Sequence, residues 1–359
     1  MSRPRQRLVR FALAVVAGLL LAVAIDVLRV GGPGLWLARH GLPPPYLPRG
    51  ERITVGEGAF YLDCRGEGAP TVVLEAGAGG GAGSWSAVLD EIAATTRTCA
   101  YDRAGLGSSD PRGRRSLAEA AADLRRLLDT AGERPPFVLV GHSLGGAYAR
   151  VFASDHRADT RAVVLLDSFE PDLETSLIHP LLGDLRPEYE ARLDGLRATV
   201  ADWEALDWTP SERQLRSSSI DGIRVAVLVA PRYEPRLDEA TNRGIAAAWE
   251  HGLRALSPGS VTYEYAWGSG HVIPVDRPDL VVQLVRRVVG EVRAGPPAPA
   301  AERAVTGRIS SIRWTAGRRS SSPFGSTPSS RSTSRPWRSA IEPSGQPAGT
   351  CSTSTPATS

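Results

Sequence analysis

Several features that would point to particular classes of protein are scarce or missing in this sequence. Lysine is absent, so all 42 basic residues are arginine, and with 39 acidic residues they leave a net charge of only +3. Such a small excess does not indicate a nucleic-acid partner, and we expect none. The three cysteines show no CxxC or other metal-type spacing. The sequence therefore predicts no metal site, and no motif implies an organic cofactor.

The few cysteines leave two interpretations open. Cys64 and Cys99 lie in apolar, strand-like stretches, whereas Cys351 lies near the C-terminus. Buried free thiols are the simplest interpretation of the first pair, because free cysteine behaves as a small apolar side chain. A Cys64–Cys99 disulfide is the alternative if the domain is exported to an oxidising compartment.

Long apolar runs are also scarce, and the one at the N-terminus is short for a membrane span. Residues 11–25 are uncharged and follow a basic segment, but a spanning helix needs about 20 apolar residues. This length also fits the core of a signal peptide, with "AVA" at 22–24 as a cleavage site. Apolar residues continue to Val30, which favours an uncleaved anchor within 1–30. The basic residues before it predict an extracytoplasmic domain, membrane-anchored or, after cleavage, secreted.

Two further segments have the composition of linkers or tails. Residues 31–50 contain "GGPG" and "GLPPPYLPRG" and predict a Pro/Gly linker. Residues 295–359 are dominated by Pro, Ala, Ser, Thr and Arg, which cannot bury enough apolar surface to offset the entropy of ordering, so we predict a disordered tail. The expected folded domain is residues 51–294.

Strand and helix patterns alternate within this domain. Short apolar runs separated by amphipathic helices predict an α/β fold with a mostly parallel central sheet flanked by helices. The first two strands are close in sequence and predict an antiparallel start, and residues 168–222 predict an inserted helical cap. The predicted strands are Arg52–Val55, Tyr61–Cys64, Thr71–Glu75, Arg97–Tyr101, Phe137–Val140, Ala162–Leu166, Val225–Val229 and Val261–Tyr265; the predicted helices are Trp85–Ala94, Leu117–Ala131, Ala147–Asp155, Ala240–Leu256 and Leu280–Arg293.

A serine marks the corner between one predicted strand and the next helix. In "FVLVGHSLGGAYAR", Ser143 occupies the centre of a G-x-S-x-G pattern. A nucleophile on such a tight turn projects its hydroxyl above the sheet, and glycine at positions 141 and 145 leaves room for the turn. The helix that follows directs backbone N–H groups at any anion formed beside the serine. We predict that Ser143 is a nucleophile.

Four segments together resemble a known family. They are "PTVVLEAGAGG", "CAYDRAGLGSSD", "GHSLGG" and "GSGHVIPVDRPDLV". Over residues 52–292 the chain resembles the α/β-hydrolase superfamily, in the esterase-like branch similar to methyl-ester carboxylesterases. The resemblance implies that the catalytic residues follow the order Ser…acid…His along the chain, with an oxyanion loop after the third predicted strand. Asp102 and Arg103 in "YDRAGLGSSD" are interpreted as residues that hold loops together rather than as catalytic groups.

A nucleophilic serine needs a base and an anion site. His271 follows the last predicted strand in a Gly-rich turn, where the resemblance implies the general base. The neighbouring His142 is interpreted as structural. The oxyanion hole is expected to combine the N–H of Leu144 with that of Ala78, the second by resemblance. Residues 75–77 of this chain read "EAG", where many members of the family that it resembles have "HG".

The acid of the site is open between two positions. Glu234 follows the strand "VAVLVA", where the superfamily usually carries its acid, with Asp238 in reserve. Asp167 ends the strand "RAVVLLDS", from which some members take theirs. Either carboxylate would accept the Nδ1–H of His271 and stabilise the imidazolium.

The sequence therefore predicts a serine hydrolase that cleaves carboxylic esters through an acyl-enzyme, without a cofactor. The alternative is a membrane-tethered, catalytically inactive binding protein with the same fold. Three cap aromatic residues, Tyr189, Trp203 and Trp208, would line an apolar entrance if the cap folds over the site. The expected substrate is then a small apolar ester. The N-terminal segment is expected to bind the membrane.

Overall fold

The structure is a computed structural model that describes residues 46–232 and 234–295, apart from the side chain of Pro171. The predicted anchor at 1–30, the predicted linker up to residue 45 and the predicted tail from residue 296 lie outside the described residues. Among the helices of the described ranges, none combines the length and the apolar character needed to cross a membrane.

An eight-stranded sheet forms the centre of the domain, in the order β1-β2-β4-β3-β5-β6-β7-β8. β2 pairs antiparallel with both β1 and β4, and every later pairing is parallel. Both the mostly parallel sheet and its antiparallel start are confirmed. The strands are β1 (Glu51–Val55), β2 (Gly58–Arg65), β3 (Thr71–Glu75), β4 (Thr98–Tyr101), β5 (Phe137–His142), β6 (Thr160–Leu166), β7 (Arg224–Val229) and β8 (Val261–Tyr265).

Two apolar cores cover the two faces of the sheet. Successive side chains of a strand point to opposite faces, so Val73 and Leu139 join one core and Val72 and Val138 join the other. Every residue of β3 and β5 is buried. This is why these strands appear in the sequence as continuous apolar runs without a polar face.

Helices lie on both faces, as the alternating pattern predicts. The helix at Leu117–Thr130 begins at a capping box, in which the Ser116 hydroxyl accepts from Glu119 N and the Glu119 carboxylate accepts from Ser116 N. The helices outside the cap are α1 (Leu89–Ala93), α2 (Leu117–Thr130), α3 (Leu144–Asp155), α7 (Glu239–Arg254), α8 (Ile273–Asp276) and α9 (Pro278–Ala294), and a 3₁₀ turn covers Ala82–Trp85.

The predicted helical cap lies between β6 and β7. It begins with a helical turn, α4 (Pro171–Leu173), which continues as a π-helical turn at Glu174–Ile178. Two longer helices follow, α5 (Arg186–Trp203) and α6 (Trp208–Ser217). The end of α6 contacts the domain through Arg150 of α3, whose guanidinium donates to Leu215 O at 3.4 Å.

The prediction of free thiols at Cys64 and Cys99 is wrong. Their sulfur atoms are joined in a disulfide across a sequence separation of 35 residues. The cause is the strand order: β2 and β4 are neighbours in the sheet, and their register places Cys64 directly opposite Cys99. The two Cα atoms are therefore only 4.0 Å apart.

Candidate active site

Ser143 occupies a sharp turn between β5 and α3. Its backbone has φ +52° and ψ −124°, a conformation that L-residues rarely adopt and that is stabilised only by its surroundings. A Cβ on Gly141 would collide with the carbonyl oxygen of Gly145, and a Cβ on Gly145 would collide with that of Glu75. The flanking glycines of the motif are thus required by close backbone contacts. The turn leaves the Ser143 hydroxyl free to face the loops above the sheet.

His271 lies within hydrogen-bond distance of that hydroxyl. Its Nε2 is 3.0 Å from Ser143 Oγ, although the two residues are 128 positions apart in the sequence. The histidine is on the loop between β8 and α8, and its side chain is 47% exposed. A neutral imidazole with its proton on Nδ1 can accept the serine proton at Nε2. The geometry therefore suits a general base.

Asp167 contacts the other nitrogen of the imidazole. Its Oδ2 is 2.6 Å from His271 Nδ1, while Oδ1 accepts from Ala230 N and Arg232 Nη2, each at 3.3 Å. Burial alone raises the pKa of this carboxyl, but the His271 hydrogen bond and the Arg232 charge outweigh burial, so the pKa lies below its usual value. Asp167 is thus an ionised acceptor, and the Nδ1–H tautomer of His271 is favoured.

The other candidate acids do not contact the imidazole. The Glu234 carboxylate accepts from the Tyr189 hydroxyl and from Arg236 Nε, both at 2.8 Å. The Arg236 hydrogen bond is the main reason that the pKa of Glu234 is lowered to about 2. Asp238 caps α7 by accepting from Thr241 N at 2.8 Å. Of the acids that the sequence left open, the structure brings Asp167 to His271.

The loop after β3 lies beside the serine, and we name its residues Gly77–Gly81 the oxyanion loop. Gly80 N donates to Gly77 O at 3.1 Å, which closes a turn around Ala78. A Cβ on Gly77 would be 3.3 Å from Ser143 Cβ, so the loop and the nucleophile turn are in contact. Within the described chain, neither Ala78 N nor Leu144 N donates a backbone hydrogen bond. Both N–H groups therefore remain candidates for the oxyanion hole.

His142 contacts both the ring and the backbone of the base. It is 9% exposed, its ring centroid is 5.0 Å from that of His271, and its Nε2 is 2.8 Å from His271 O. Burial, followed by the nearby His271 charge, lowers the pKa of His142 to about 4. A neutral His142 with its proton on Nε2 can donate to that carbonyl. His142 thus fixes the backbone that carries the base.

Two further residues at the site, Arg232 and Glu204, were not predicted from the sequence. Arg232 binds Asp167 Oδ1, and its guanidinium lies 4.2 Å from the centre of the Trp249 ring. Glu204, from the end of the cap helix α5, accepts a hydrogen bond from Gly79 N at 2.6 Å. Glu204 is 125 residues from Gly79, so no local sequence pattern could predict this hydrogen bond.

Near Ser143, no group of three or more His, Cys, Asp or Glu ligand atoms comes close enough together to bind a metal ion in the part of the chain that the structure describes. The one close group of ligand atoms there is Cys64, Cys99 and Glu133, and its two sulfur atoms are already bonded to each other.

Comparison with known proteins agrees with this architecture. Residues 70–237 match the family profile described as alpha/beta hydrolase fold. The chain is 37% identical over 248 residues to "Putative carbamate hydrolase RutD" of Klebsiella pneumoniae, covering 61% of this chain and 91% of that protein. A protein of the same name from Azorhizobium caulinodans is 41% identical over 92 residues, covering 25% of this chain and 34% of that protein.

Several other curated relatives match over smaller parts of their length. The chain spans less than half of several curated relatives, for example 18% of "Probable transporter efuK" from Hormonema carpetanum and 46% of an uncharacterized Bacillus subtilis protein. Among solved structures, Cfl2 of Burkholderia cenocepacia aligns with a TM-score of 0.49 at 23% identity, over 68% of this chain and 99% of that one. The fold and the near-complete match to the Klebsiella relative lead to one assignment: this chain belongs to the α/β-hydrolase superfamily.

Proposed function

We propose that this α/β hydrolase is a serine hydrolase that cleaves carboxylic esters through an acyl-enzyme. The observation that supports the proposal is the chain of hydrogen bonds from Asp167 through His271 to Ser143, with distances of 2.6 Å and 3.0 Å. An unassisted serine hydroxyl is a poor nucleophile, so a base oriented by an acid is the arrangement that acyl transfer requires. The resemblance of the sequence to the esterase-like branch also supports ester cleavage.

In this mechanism Ser143 Oγ attacks the ester carbonyl while His271 Nε2 takes its proton. The tetrahedral oxyanion accepts hydrogen bonds from the N–H groups of Leu144 and Ala78, which lower the barrier because they meet charge that develops only in the transition state. The imidazolium, stabilised by ionised Asp167, then protonates the departing alcohol. A water molecule activated by His271 attacks the acyl-enzyme and releases the acid. Carbamates can follow the same steps, so a substrate panel includes them beside esters.

Covalent labelling tests the nucleophile directly. A fluorophosphonate probe is expected to add one label per chain, and digestion followed by mass spectrometry should locate it on the peptide containing Ser143. Ser143→Ala should remain unlabelled under the same conditions. Labelling of the variant at the wild-type rate would assign the nucleophile to another residue. No labelling of a folded wild-type protein would favour the catalytically inactive binding protein.

The Asp167 contact weakens the case for that alternative. The only argument for an inactive protein is that the sequence leaves the acid of the site open, because the candidate nucleophile and base are both evident from the sequence. An ionised carboxylate 2.6 Å from His271 Nδ1 supplies the missing partner. We therefore favour the enzyme.

An apolar acyl or alcohol group is the proposed preference, and Trp203 supports it. This side chain is 46% exposed and packs on the oxyanion loop, where a Cβ on Gly79 would be 3.0 Å from the indole. The other two cap aromatics have different surroundings. Trp208 Nε1 donates to Arg197 O at 2.7 Å, and the Tyr189 hydroxyl donates to Glu234. Trp203 is therefore the aromatic residue best placed to contact substrate.

Substrate chain length measures this contribution. For p-nitrophenyl esters, kcat/KM should rise by at least about tenfold from acetate to hexanoate, because burial of only two of the added methylene groups contributes about 1.6 kcal/mol, and Trp203→Ala should remove most of that gain. Leu196→Ala is the control, since Leu196 is also an exposed apolar residue of α5, at 40% exposure. If both variants keep the wild-type dependence on chain length, Trp203 does not bind the apolar group.

The proposed location is outside the cytoplasm, with the domain anchored by residues 1–30 or secreted if that segment is cleaved. The Cys64–Cys99 disulfide supports this location, because disulfides persist in oxidising compartments and are rare in the cytosol. In cells that produce the full chain, the domain should be digested by protease added to spheroplasts, or be found in the medium or periplasm. Full protection until the membrane is lysed would contradict the proposal.

A further inference from the structure

We propose that Arg103 and Glu204 are positioning residues that orient the Ala78 N–H for oxyanion binding and so connect the cap to the chemistry. This inference rests on the proposed function, because it concerns the same site. Its structural basis is a buried cluster of charged side chains that is hydrogen-bonded to the backbone of the oxyanion loop.

The cluster consists of one guanidinium between two carboxylates. Arg103 donates to Glu204 through Nε at 3.0 Å and Nη2 at 2.8 Å, and its Nη1 is 3.3 Å from Glu75 Oε2. The exposed fractions of the side chains are only 6% for Arg103 and 1% for each glutamate. Burying charged groups costs solvation, and apolar residues of similar volume often give equal or better stability. Stability alone is therefore a weak explanation for the cluster.

Arg103 also binds two carbonyl groups at the start of the oxyanion loop. Nη1 donates to Ala76 O at 2.7 Å, and Nη2 donates to Gly77 O at 2.8 Å. Gly77 C=O and Ala78 N–H belong to the same peptide unit, which is planar and trans, so the two groups point in opposite directions. By holding the carbonyl towards the cluster, Arg103 directs the Ala78 N–H away from it. A cation on the carbonyl also polarises the peptide and strengthens the N–H as a donor.

Glu204 fixes the next peptide unit of the loop. Its Oε1 accepts from Gly79 N at 2.6 Å, so the peptide units on both sides of Ala78 are held by one connected cluster. Gly79 has φ +68°, a left-handed conformation that glycine adopts without strain. Without the carboxylate, Gly79 N loses this acceptor, so the Ala78–Gly79 peptide becomes freer to rotate.

The cluster joins three parts of the domain. Glu204 directly follows α5 of the cap, and its N–H donates to Val200 O at 2.9 Å. The Tyr148 hydroxyl, on the nucleophile helix α3, donates to Glu204 Oε2 at 3.1 Å. The next residue, Ala205, has φ +51°, which non-glycine residues rarely adopt. The end of the cap helix is thus held in an unfavourable backbone conformation with its carboxylate against the oxyanion loop.

Glu204→Ala is expected to lower kcat by about 30-fold or more, with KM changed by less than about threefold. Loss of one oxyanion donor costs about 10²–10³-fold, and a misdirected donor should cost part of that. KM changes little because the oxyanion exists only after attack on the carbonyl. Affinity for an alkylboronic acid, which forms a tetrahedral adduct on a catalytic serine, should fall in proportion to kcat/KM.

Two variants separate positioning from a merely structural role. Glu204→Gln keeps a carbonyl oxygen that can accept from Gly79 N, so its kcat should remain within about fivefold of wild type. Asp194→Ala is the matched control, because Asp194 is a carboxylate of the same cap helix, paired with Arg197 but 75% exposed. Thermal melting shows whether each variant is folded. Each kcat is calculated per active enzyme from the fraction of chains that the fluorophosphonate probe labels at Ser143.

The outcomes distinguish this inference from the proposed function. If Ser143-dependent hydrolysis survives Glu204→Ala within threefold, or if Glu204→Gln is as impaired as the alanine variant, the positioning role is overturned and the serine hydrolase stands. A loss of activity fully explained by fewer folded chains, with unchanged boronate affinity per active site, also overturns it. If wild-type protein shows no Ser143-dependent hydrolysis, the proposed function fails and this inference fails with it.

Discussion

Ser143→Ala is expected to lower kcat for a p-nitrophenyl ester by about 10⁵-fold or more, the scale of loss found when a serine hydrolase loses its nucleophile. The methyl group of alanine cannot form the acyl-enzyme, so only binding and the oxyanion hole remain to assist attack by water. KM should stay within a few-fold of wild type, because the substrate still fits the same site. Steady-state kinetics with a burst-phase measurement provide the comparison.

The fold should survive this substitution, since alanine tolerates the φ of +52° about as well as serine does. Ser217→Ala is a suitable control: Ser217 is an exposed serine at the end of α6, and its hydroxyl donates to Gln214 O at 3.1 Å. The control should retain full activity and melt at the wild-type temperature. A Ser143→Ala enzyme with more than a tenth of wild-type kcat would contradict the acyl-enzyme mechanism.

Asp167→Ala is expected to lower kcat by about 10³–10⁴-fold, whereas Glu234→Ala should change it by less than about twofold. Asp167 holds the His271 proton on Nδ1 and stabilises the imidazolium, and an enzyme of this type loses about 10⁴-fold when the acid is replaced by its amide. Glu234 instead binds Tyr189 and Arg236, away from the imidazole. Kinetics of the two variants on one ester decide between the acids.

The comparison also controls for stability, because each variant removes a carboxylate near the C-terminal edge of the sheet. Circular dichroism and melting temperatures should show both proteins folded. Asp167→Asn adds a check on the mechanism: the shape is kept, but the amide can stabilise the wrong tautomer of His271, so its activity should be nearly as low as that of Asp167→Ala. A large loss in Glu234→Ala with an active Asp167→Ala would reverse the assignment.

The sequence predicts much of this fold because its signals are local. The central strands β3 and β5 to β7 are short apolar runs, and two of the helices begin at side-chain caps, Ser116 with Glu119 and Asp238 with Thr241. Ser143 and His271 are also evident locally, since glycine-rich turns at strand ends mark both. Glycine is needed at positions 141 and 145 because a Cβ there would collide with Gly145 O or Glu75 O. The glycines of the motif therefore indicate the tight turn directly.

The acid could not be chosen from the sequence because the choice depends on distant contacts. Asp167 and Glu234 both follow parallel strands that are neighbours in the sheet. Asp167 reaches the imidazole from a backbone turn with φ +41°. Glu234 is held elsewhere, because its N–H donates to Asn242 Oδ1 of α7 at 2.8 Å. Neither contact has a signature in the residues around the acid.

The same limit applies to the charge cluster and to the cysteines. Arg103 and Glu204 are separated by 101 residues, and only the folded cap brings them together. The Cys64–Cys99 bond depends on β2 pairing with β4 rather than with β3, its successor in the sequence. Strand order of this kind follows from the topology of the whole sheet.

The disulfide encloses part of the candidate site in a covalent ring and leaves the rest outside it. Ala78 and the whole oxyanion loop belong to a ring of polypeptide closed by Cys64 and Cys99, while Ser143, His271 and Asp167 all lie on chain outside that ring. Closing a ring restricts the conformations of the unfolded chain within it and therefore favours the folded form of that segment. Reduction of the bond should thus weaken oxyanion binding before it disturbs the pairing of nucleophile and base.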